Sequence, residues 1–253
     1  MNIMAPTIRT LIEPTGEQAV KLAAELIKTI ICEAAGSDRP VSVALAGGTT
    51  PHRLYQVLAA SGTGGEVPWP QVDVFFGDER AVGLDHVESN YNMAQRTMLD
   101  NLPIEPSRIH PMRGDADDLD ASAAEYEQTI RRAVPAGADG IPQLDFILLG
   151  VGGDGHTASL FPNTEAINEK KKLVAAVFVP VLDRKRLTFT FPLINAARNV
   201  MLLVMGDDKA DVMAALLGPE CAAKSRLPAS KVRPKDGMLT IVMDAAAARR
   251  SRG

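Results

Sequence analysis

The sequence predicts an α/β protein in which a mostly parallel sheet carries helices on both faces. Short apolar runs such as Val41–Ala46 and Val72–Phe76 alternate along the chain with segments of helical period. These runs are apolar at most consecutive positions, as expected of strands that are covered on both sides. No linker divides the 253 residues, so we expect a single domain over residues 1–253.

The first part of the chain predicts four helices and two strands. The first helix begins with a capping-box spacing, Thr15 and Gln18, and ends at Gly36. The second helix begins at Thr49 or Thr50, either of which can cap it, with a proline in its first turn. The elements after the first helix are strand 41–46, a helix through residue 60, strand 72–76, and helices 90–99 and 121–134.

The second part of the chain predicts further buried strands. Leu144–Leu149 is an apolar run that stops at a glycine-dense turn. Residues 173–179 and 186–191 are strand candidates separated by a short polar turn. The remaining elements are strand 200–205, helix 207–217, strand 239–243 and helix 245–250.

Bulk properties exclude several classes of protein. The net charge of −4 and the pI of about 5.6 leave no general basic surface for nucleic acid. The N-terminal residues lack the apolar core of a signal peptide, and no apolar run approaches membrane-spanning length. The four histidines, His52, His86, His110 and His156, have no zinc-ligand spacing. We therefore expect a cytoplasmic protein that binds no metal, nucleic acid or membrane. We also expect it to be a monomer.

An Asp and a His follow the strand Leu144–Leu149. Asp154 and His156 lie two residues apart in the turn after it. Ligands of open α/β sheets bind beyond the carboxyl ends of the strands. A His beside a carboxylate at such a place can act as a general base, with the Asp fixing its tautomer. A tight turn in which the Asp caps a helix would use the same residues.

The same turn contains the glycine spacing of dinucleotide-binding proteins, at Gly150, Gly152 and Gly155. That motif needs a long helix directly after it, whereas Pro162 follows the third glycine closely. It also needs an acidic residue about 20 positions further on, where this chain has three lysines, residues 170–172. We therefore expect no nucleotide cofactor. No nucleophile-elbow motif is present either, so Ser159 is interpreted as a helix or turn residue.

A glycine pair follows the strand Val41–Ala46 and precedes a helix. Gly47 and Gly48 allow a ligand to approach the backbone, and Thr49 lies where the helix offers free N–H groups. Helix N-termini of this kind favour phosphate. An ordinary strand-to-helix turn explains the residues equally well.

Charged residues lie close to three other strand candidates. Asp78 and Arg80 come directly after strand 72–76, Arg186 opens a strand, and Lys209 lies in the first turn of a helix after a strand. Arg80 can bind carboxylate or phosphate, with a carboxylate paired to it. Lys209 is unfavourable against the dipole of its helix, which favours a role in binding a ligand. The alternative for each basic residue is an ordinary surface charge.

Taken together, these motifs resemble the 6-phosphogluconolactonase family over nearly the whole chain. Several separate motifs in the family's order make the resemblance more specific than any one of them. They are LAGGTTPHRLY at 45–55, FFGDERAVGLDHVESNYNMA at 75–94, LLGVGGDGHTASLFP at 148–162, RLTFTFPLINAARNV at 186–200 and MGDDKADVM at 205–213.

The resemblance implies a Rossmann-like three-layer α/β fold and metal-free hydrolysis of the small-molecule lactone 6-phospho-D-glucono-1,5-lactone. It implies that His156 activates water with support from Asp154. Phosphate would bind at Gly47, Gly48 and Thr49 with Arg186 and Lys209, and Arg80 and Asp78 would lie near the sugar.

Two alternatives are a glucosamine-6-phosphate deaminase and a sugar-phosphate sensor. The related deaminases have a Glu five residues after the His, where this chain has Phe161, and commonly a Tyr at the position of Arg80. Both differences favour the lactonase. The sensors of transcription regulators need a DNA-binding domain, and only one helix precedes the first predicted strand, near residue 41.

Overall fold

The computed structural model describes residues 7–37, 39–61, 66–218 and 227–251. The strands in these ranges are β1 Thr7–Glu13, β2 Val41–Leu45, β3 Val72–Phe76, β4 Asp78–Arg80, β5 Phe146–Leu149, β6 Val174–Val179, β7 Arg184–Phe189, β8 Asn199–Val204 and β9 Met238–Asp244. The α-helices are α1 Gly16–Ala34, α2 Thr49–Ser61, α3 Asn90–Thr97, α4 Leu119–Ala133, α5 Phe191–Ile194, α6 Ala210–Leu217 and α7 Ala245–Ala248.

Six of these strands form one parallel sheet in the order β1-β9-β8-β5-β2-β3. Its strands send alternate side chains to opposite faces, so Val43 and Leu45 join one core while Ala44 joins the other. Helices α1, α2 and α3 cover the first core. Helices α4, α6 and α7 cover the second, together with a small antiparallel sheet of order β4-β7-β6. The predicted α/β class is therefore confirmed.

The chain reverses its direction across the sheet between β2 and β5. After β2 it continues to β3 at one edge, and it later returns to β5 on the other side of β2. In open α/β sheets such a switch point leaves a crevice at the carboxyl ends of the two strands. The segments that follow β2 and β5 carry the glycine pair and the Asp–His turn.

Three local predictions were wrong. The first strand is β1, not the strand near residue 41; β1 lies at the edge of the sheet and is only partly covered, so it lacks a long apolar run. The three-residue strand β4 was not predicted, because pairing with β7 forms it rather than an apolar pattern. Arg186 does not open a strand: β7 begins at Arg184 and places Arg186 inside the antiparallel sheet.

None of the helices in the described part of the chain is long and apolar enough to cross a membrane.

Candidate active site

A cavity of about 260 Å³ lies at the carboxyl ends of β2 and β5. Eight of the nine residues that the sequence singled out line this cavity. The ninth, Asp154, contacts the cavity residue His156. The structure thus brings all the sequence-predicted site residues together from separate parts of the chain. The eight lining residues are Gly47, Gly48, Thr49, Asp78, Arg80, His156, Arg186 and Lys209.

Asp154 and His156 form a close hydrogen-bonded pair. Oδ1 of Asp154 lies 2.6 Å from Nδ1 of His156 and also accepts the His156 backbone N–H at 3.1 Å. An Asp on Nδ1 favours the tautomer that carries its proton there, which leaves Nε2 to accept one. Gly152 makes this turn possible, because a Cβ at that position would lie 2.2 Å from Cε1 and Nδ1 of the imidazole.

Two arginines are cross-strand neighbours in the small antiparallel sheet. Arg80 on β4 is the direct partner of Arg186 on β7. Like charges directly opposite each other destabilise a strand pair. Each side chain has a buried Nε with no hydrogen-bond partner among the residues that the structure describes. An anion in the cavity would compensate both the repulsion and the unmet donors.

Electrostatic surroundings support this interpretation of Arg186. Burial lowers the pKa of its guanidinium, the Asp78 carboxylate raises it, and the neighbouring charge of Arg80 lowers it again. Nη1 of Arg186 is 3.8 Å from Oδ2 of Asp78, a long contact that leaves the guanidinium incompletely paired. Asp78 alone therefore does not balance the two positive charges.

The start of α2 adds further groups that suit an anion. Helix α2 begins at Thr49, so Thr49 is its first helical residue rather than a cap outside it. Gly48 has a φ of 102°, a conformation that glycine adopts without strain. The first N–H groups of a helix have no partner within it, and they lie here beside the cavity. Lys209 adds a cation, and its Nζ lies 3.0 Å from the exposed carboxylate of Asp208.

A buried hydrogen-bond network holds Asp78. Its Oδ2 accepts a bond of 2.6 Å from the Ser159 hydroxyl, and its Oδ1 accepts one of 3.1 Å from the Asn90 side chain. Sequence reasoning missed Asn90 and interpreted Ser159 only as a helix or turn residue. The hydroxyl of Ser159 is buried and donates to a carboxylate, so it serves to position Asp78.

The fully buried Glu79 was also missed. Its two carboxylate oxygens accept hydrogen bonds from the backbone N–H groups of Arg80, Asn90 and Tyr91 and from the Ser89 hydroxyl. Burial raises the pKa of Glu79, and the three backbone donors oppose that shift. Glu79 thereby ties the end of β4 to the first turn of α3. The charge run after β3 was the available signal, but it did not show which carboxylate faces the cavity.

The geometry agrees with comparisons to known proteins. The family model of glucosamine-6-phosphate isomerases and 6-phosphogluconolactonases matches residues 14–241. The chain belongs to this family. A 6-phosphogluconolactonase of Synechocystis is 38% identical over 94% of this chain and 96% of the relative. A human 6-phosphogluconolactonase is 34% identical over 98% of this chain and 95% of the relative.

A solved family structure gives the same result for the fold. The 6-phosphogluconolactonase of Trypanosoma brucei superposes with a TM-score of 0.84 at 29% identity, covering 96% of this chain and 98% of that one. The family description joins two activities, so the residues in and around the cavity have to distinguish them.

The described residues contain no group of three or more His, Cys, Asp or Glu side chains arranged to hold a metal ion, and we assign no metal ligands.

Proposed function

We propose that this chain hydrolyses 6-phospho-D-glucono-1,5-lactone to 6-phospho-D-gluconate. The observation that carries the proposal is the meeting of two unlike features in one cavity. An imidazole oriented by Asp154 lies at one side, and the opposed arginines Arg80 and Arg186 lie at another. A substrate with an anionic group and an electrophilic carbonyl fits this combination. The relatives named 6-phosphogluconolactonase support the same activity.

In this proposal the phosphate of the lactone binds at the start of α2. The backbone of Gly47, Gly48 and Thr49 donates N–H groups, because the first turn of a helix has free donors. Arg186 and Lys209 supply positive charge at the same cavity. Arg80 lies close to the sugar and to the negative charge that develops on its carbonyl oxygen.

His156 acts as the general base. Its Nε2 takes a proton from water as the water oxygen bonds to C1 of the lactone, and Asp154 stabilises the imidazolium that forms. The C1–ring oxygen bond then breaks, and His156 returns the proton to the departing oxygen. General acid–base help of this kind typically contributes about 10²–10⁴-fold.

Replacement of His156 tests the proposed base. We expect His156→Asn to lower the enzymatic rate of lactone hydrolysis by about 10²-fold or more, because the amide cannot take the proton. The lactone also opens spontaneously, so each rate is measured above a control without enzyme. Binding of 6-phosphogluconate, measured by calorimetry, should persist. A variant with a near-normal rate would disprove the role of His156.

The phosphate site is tested with two substrates. Arg186→Ala and Lys209→Ala should each weaken use of the phosphorylated lactone far more than use of plain gluconolactone. A lost contact of this kind costs about 2–5 kcal/mol, which is roughly 30- to 4000-fold in kcat/KM. Lys185→Ala is the matched control, because Lys185 is an exposed neighbour of Arg186 on β7. Equal losses on both substrates would assign these residues to the fold instead.

The deaminase and the sensor are the alternatives to exclude. Phe161 occupies the position at which the related deaminases carry a Glu, and a phenyl ring cannot transfer a proton. We therefore expect no ammonia release from glucosamine 6-phosphate. Ammonia release at a rate similar to lactone hydrolysis would favour the deaminase. Tight binding of 6-phosphogluconate without any turnover of the lactone would favour the sensor.

A further inference from the structure

Phe161 contacts both the proposed base, His156, and the proposed phosphate ligand, Arg186, although it does not line the cavity itself. Its ring is stacked on the imidazole of His156, with a centroid separation of 3.9 Å and an interplanar angle of 20°. The guanidinium carbon of Arg186 lies over the same ring, 5.9 Å from its centroid. The side chain is 5% exposed and belongs to the core beneath the antiparallel sheet, so the ring itself is held firmly.

We propose that Phe161 is a positioning residue that holds the His156 imidazole at a fixed orientation and distance from Arg186. The inference rests on the proposed function, in which His156 activates water and Arg186 binds the phosphate. One aromatic surface in contact with both groups would fix the separation between His156 and Arg186, which has to match the separation between the attacked carbon and the phosphate of the same substrate.

The hydrogen bond from Asp154 does not provide this restraint alone. A bond to Nδ1 sets the tautomer but allows the imidazole to swing about the line between the two atoms. Oδ1 of Asp154 also accepts the His156 backbone N–H, but the Asp154 side chain is 43% exposed, and neither of these hydrogen bonds sets the plane of the imidazole. Stacking on Phe161 fixes the plane of the imidazole, and the missing Cβ of Gly152 leaves the space that the imidazole occupies.

The stacking also changes during the reaction. When His156 takes a proton, a neutral ring over Phe161 becomes a cation over an aromatic face, which is an attractive arrangement. At the same stage the substrate phosphate balances the charge of Arg186, so the two cations near one ring repel each other less. The contribution of Phe161 is thus greater in the transition state than in the ground state, and its loss should appear in kcat.

The experiment compares Phe161→Leu with Phe191→Leu. Phe191 is the matched control: it is 7% exposed, and the cation over its ring is Lys231, with Nζ 5.8 Å from the ring centroid, rather than Arg186. We expect Phe161→Leu to lower kcat on the phosphorylated lactone about tenfold, equivalent to about 1.4 kcal/mol, with KM changed less than about threefold. Phe191→Leu should leave kcat within about twofold of wild type. Phe161→Tyr keeps an aromatic ring at this position and should therefore retain most of the wild-type kcat.

A spectroscopic measurement on the wild-type protein makes the test independent of variant folding. Ring protons of His156 that lie over Phe161 should show an upfield ring-current shift in the NMR spectrum. Absence of that shift would overturn the inference, as would equal kcat values in the two leucine variants of an active enzyme. If the wild-type chain does not hydrolyse the lactone, the proposed function fails and the inference fails with it.

Discussion

Gly47→Ala is expected to disrupt the site through Asn90. A Cβ built on Gly47 would lie 1.8 Å from Oδ1 of Asn90, 2.4 Å from its Cγ and 2.7 Å from its Nδ2. Asn90 is 2% exposed and donates hydrogen bonds to the backbone oxygen of Asp78 at 2.9 Å and to its Oδ1 at 3.1 Å. The added methyl group therefore forces Asn90 away from Asp78 or moves the backbone after β2.

The size of the effect follows from these contacts. Overpacking of a tight site costs about 1–3 kcal/mol. Loss of the two hydrogen bonds of Asn90 adds about 1 kcal/mol for each. The lower entropy of alanine in the unfolded chain recovers about 0.4–1 kcal/mol. We therefore expect Gly47→Ala to lower the free energy of unfolding by about 3 kcal/mol, a large part of the ~5–15 kcal/mol typical of a domain.

A double-mutant cycle measured by urea denaturation checks the cause. Asn90→Ala removes the side chain that the new methyl group would strike, so Gly47→Ala should cost little when added to it. Gly48→Ala is the control: its Cβ would meet nothing within 4 Å, and its φ of 102° makes it costly regardless of Asn90. Additive costs of Gly47→Ala and Asn90→Ala would refute the clash.

Two further predictions concern buried carboxylates. Glu79→Gln places an amide NH₂ among four donors and should lower the free energy of unfolding by about 2–4 kcal/mol at pH 7. Burial raises the pKa of Glu79, so its contribution to the free energy of unfolding of the wild type falls as pH rises above the unfolded pKa of about 4.3. The variant has no carboxyl group at this position, so its stability should not show this decrease with pH. Arg39→Met should lower stability by about 3 kcal/mol with kcat unchanged, because Asp145 is buried and receives two hydrogen bonds from Arg39. Burial opposes ionisation of Asp145, but bonds from Arg39 and Ser42 outweigh it and lower its pKa, so this loss should shrink as pH falls below about 4.

The sequence was sufficient to predict much of the site because its residues follow strands. Gly47 and His156 come after apolar runs that had to be buried parallel strands, and the carboxyl ends of such strands meet at one edge of the sheet. The residues that the sequence did not predict are those that position other side chains of the site. Asn90 and Phe161 act through contacts with Asp78 and Arg186, and no local pattern shows which distant side chain they meet.

Strand β4 and its pairing with β7 were the main architectural features that the sequence did not predict, whereas the strand candidates 173–179 and 186–191 anticipated β6 and most of β7. Strand β4 of the antiparallel sheet is short and charged, and β7 opens with the exposed basic residues Arg184 and Lys185, so neither shows the continuous apolar pattern of the parallel strands. Yet this sheet places Arg80 opposite Arg186, which lies 106 positions later in the chain. Strand pairing across such a separation depends on tertiary packing rather than on local periodicity.

Two hydrogen bonds join the turn that carries His156 to this small sheet. The backbone N–H of Ser159 donates to Oγ1 of Thr188 on β7 at 3.1 Å, and the Ser159 hydroxyl donates to Asp78 on β4. Movement of the small sheet relative to β5 would therefore shift the proposed base and the two arginines together. The turn follows β5 of the parallel sheet and is hydrogen-bonded to β4 and β7 of the small sheet, so it couples the positions of His156, Arg80 and Arg186 in the cavity.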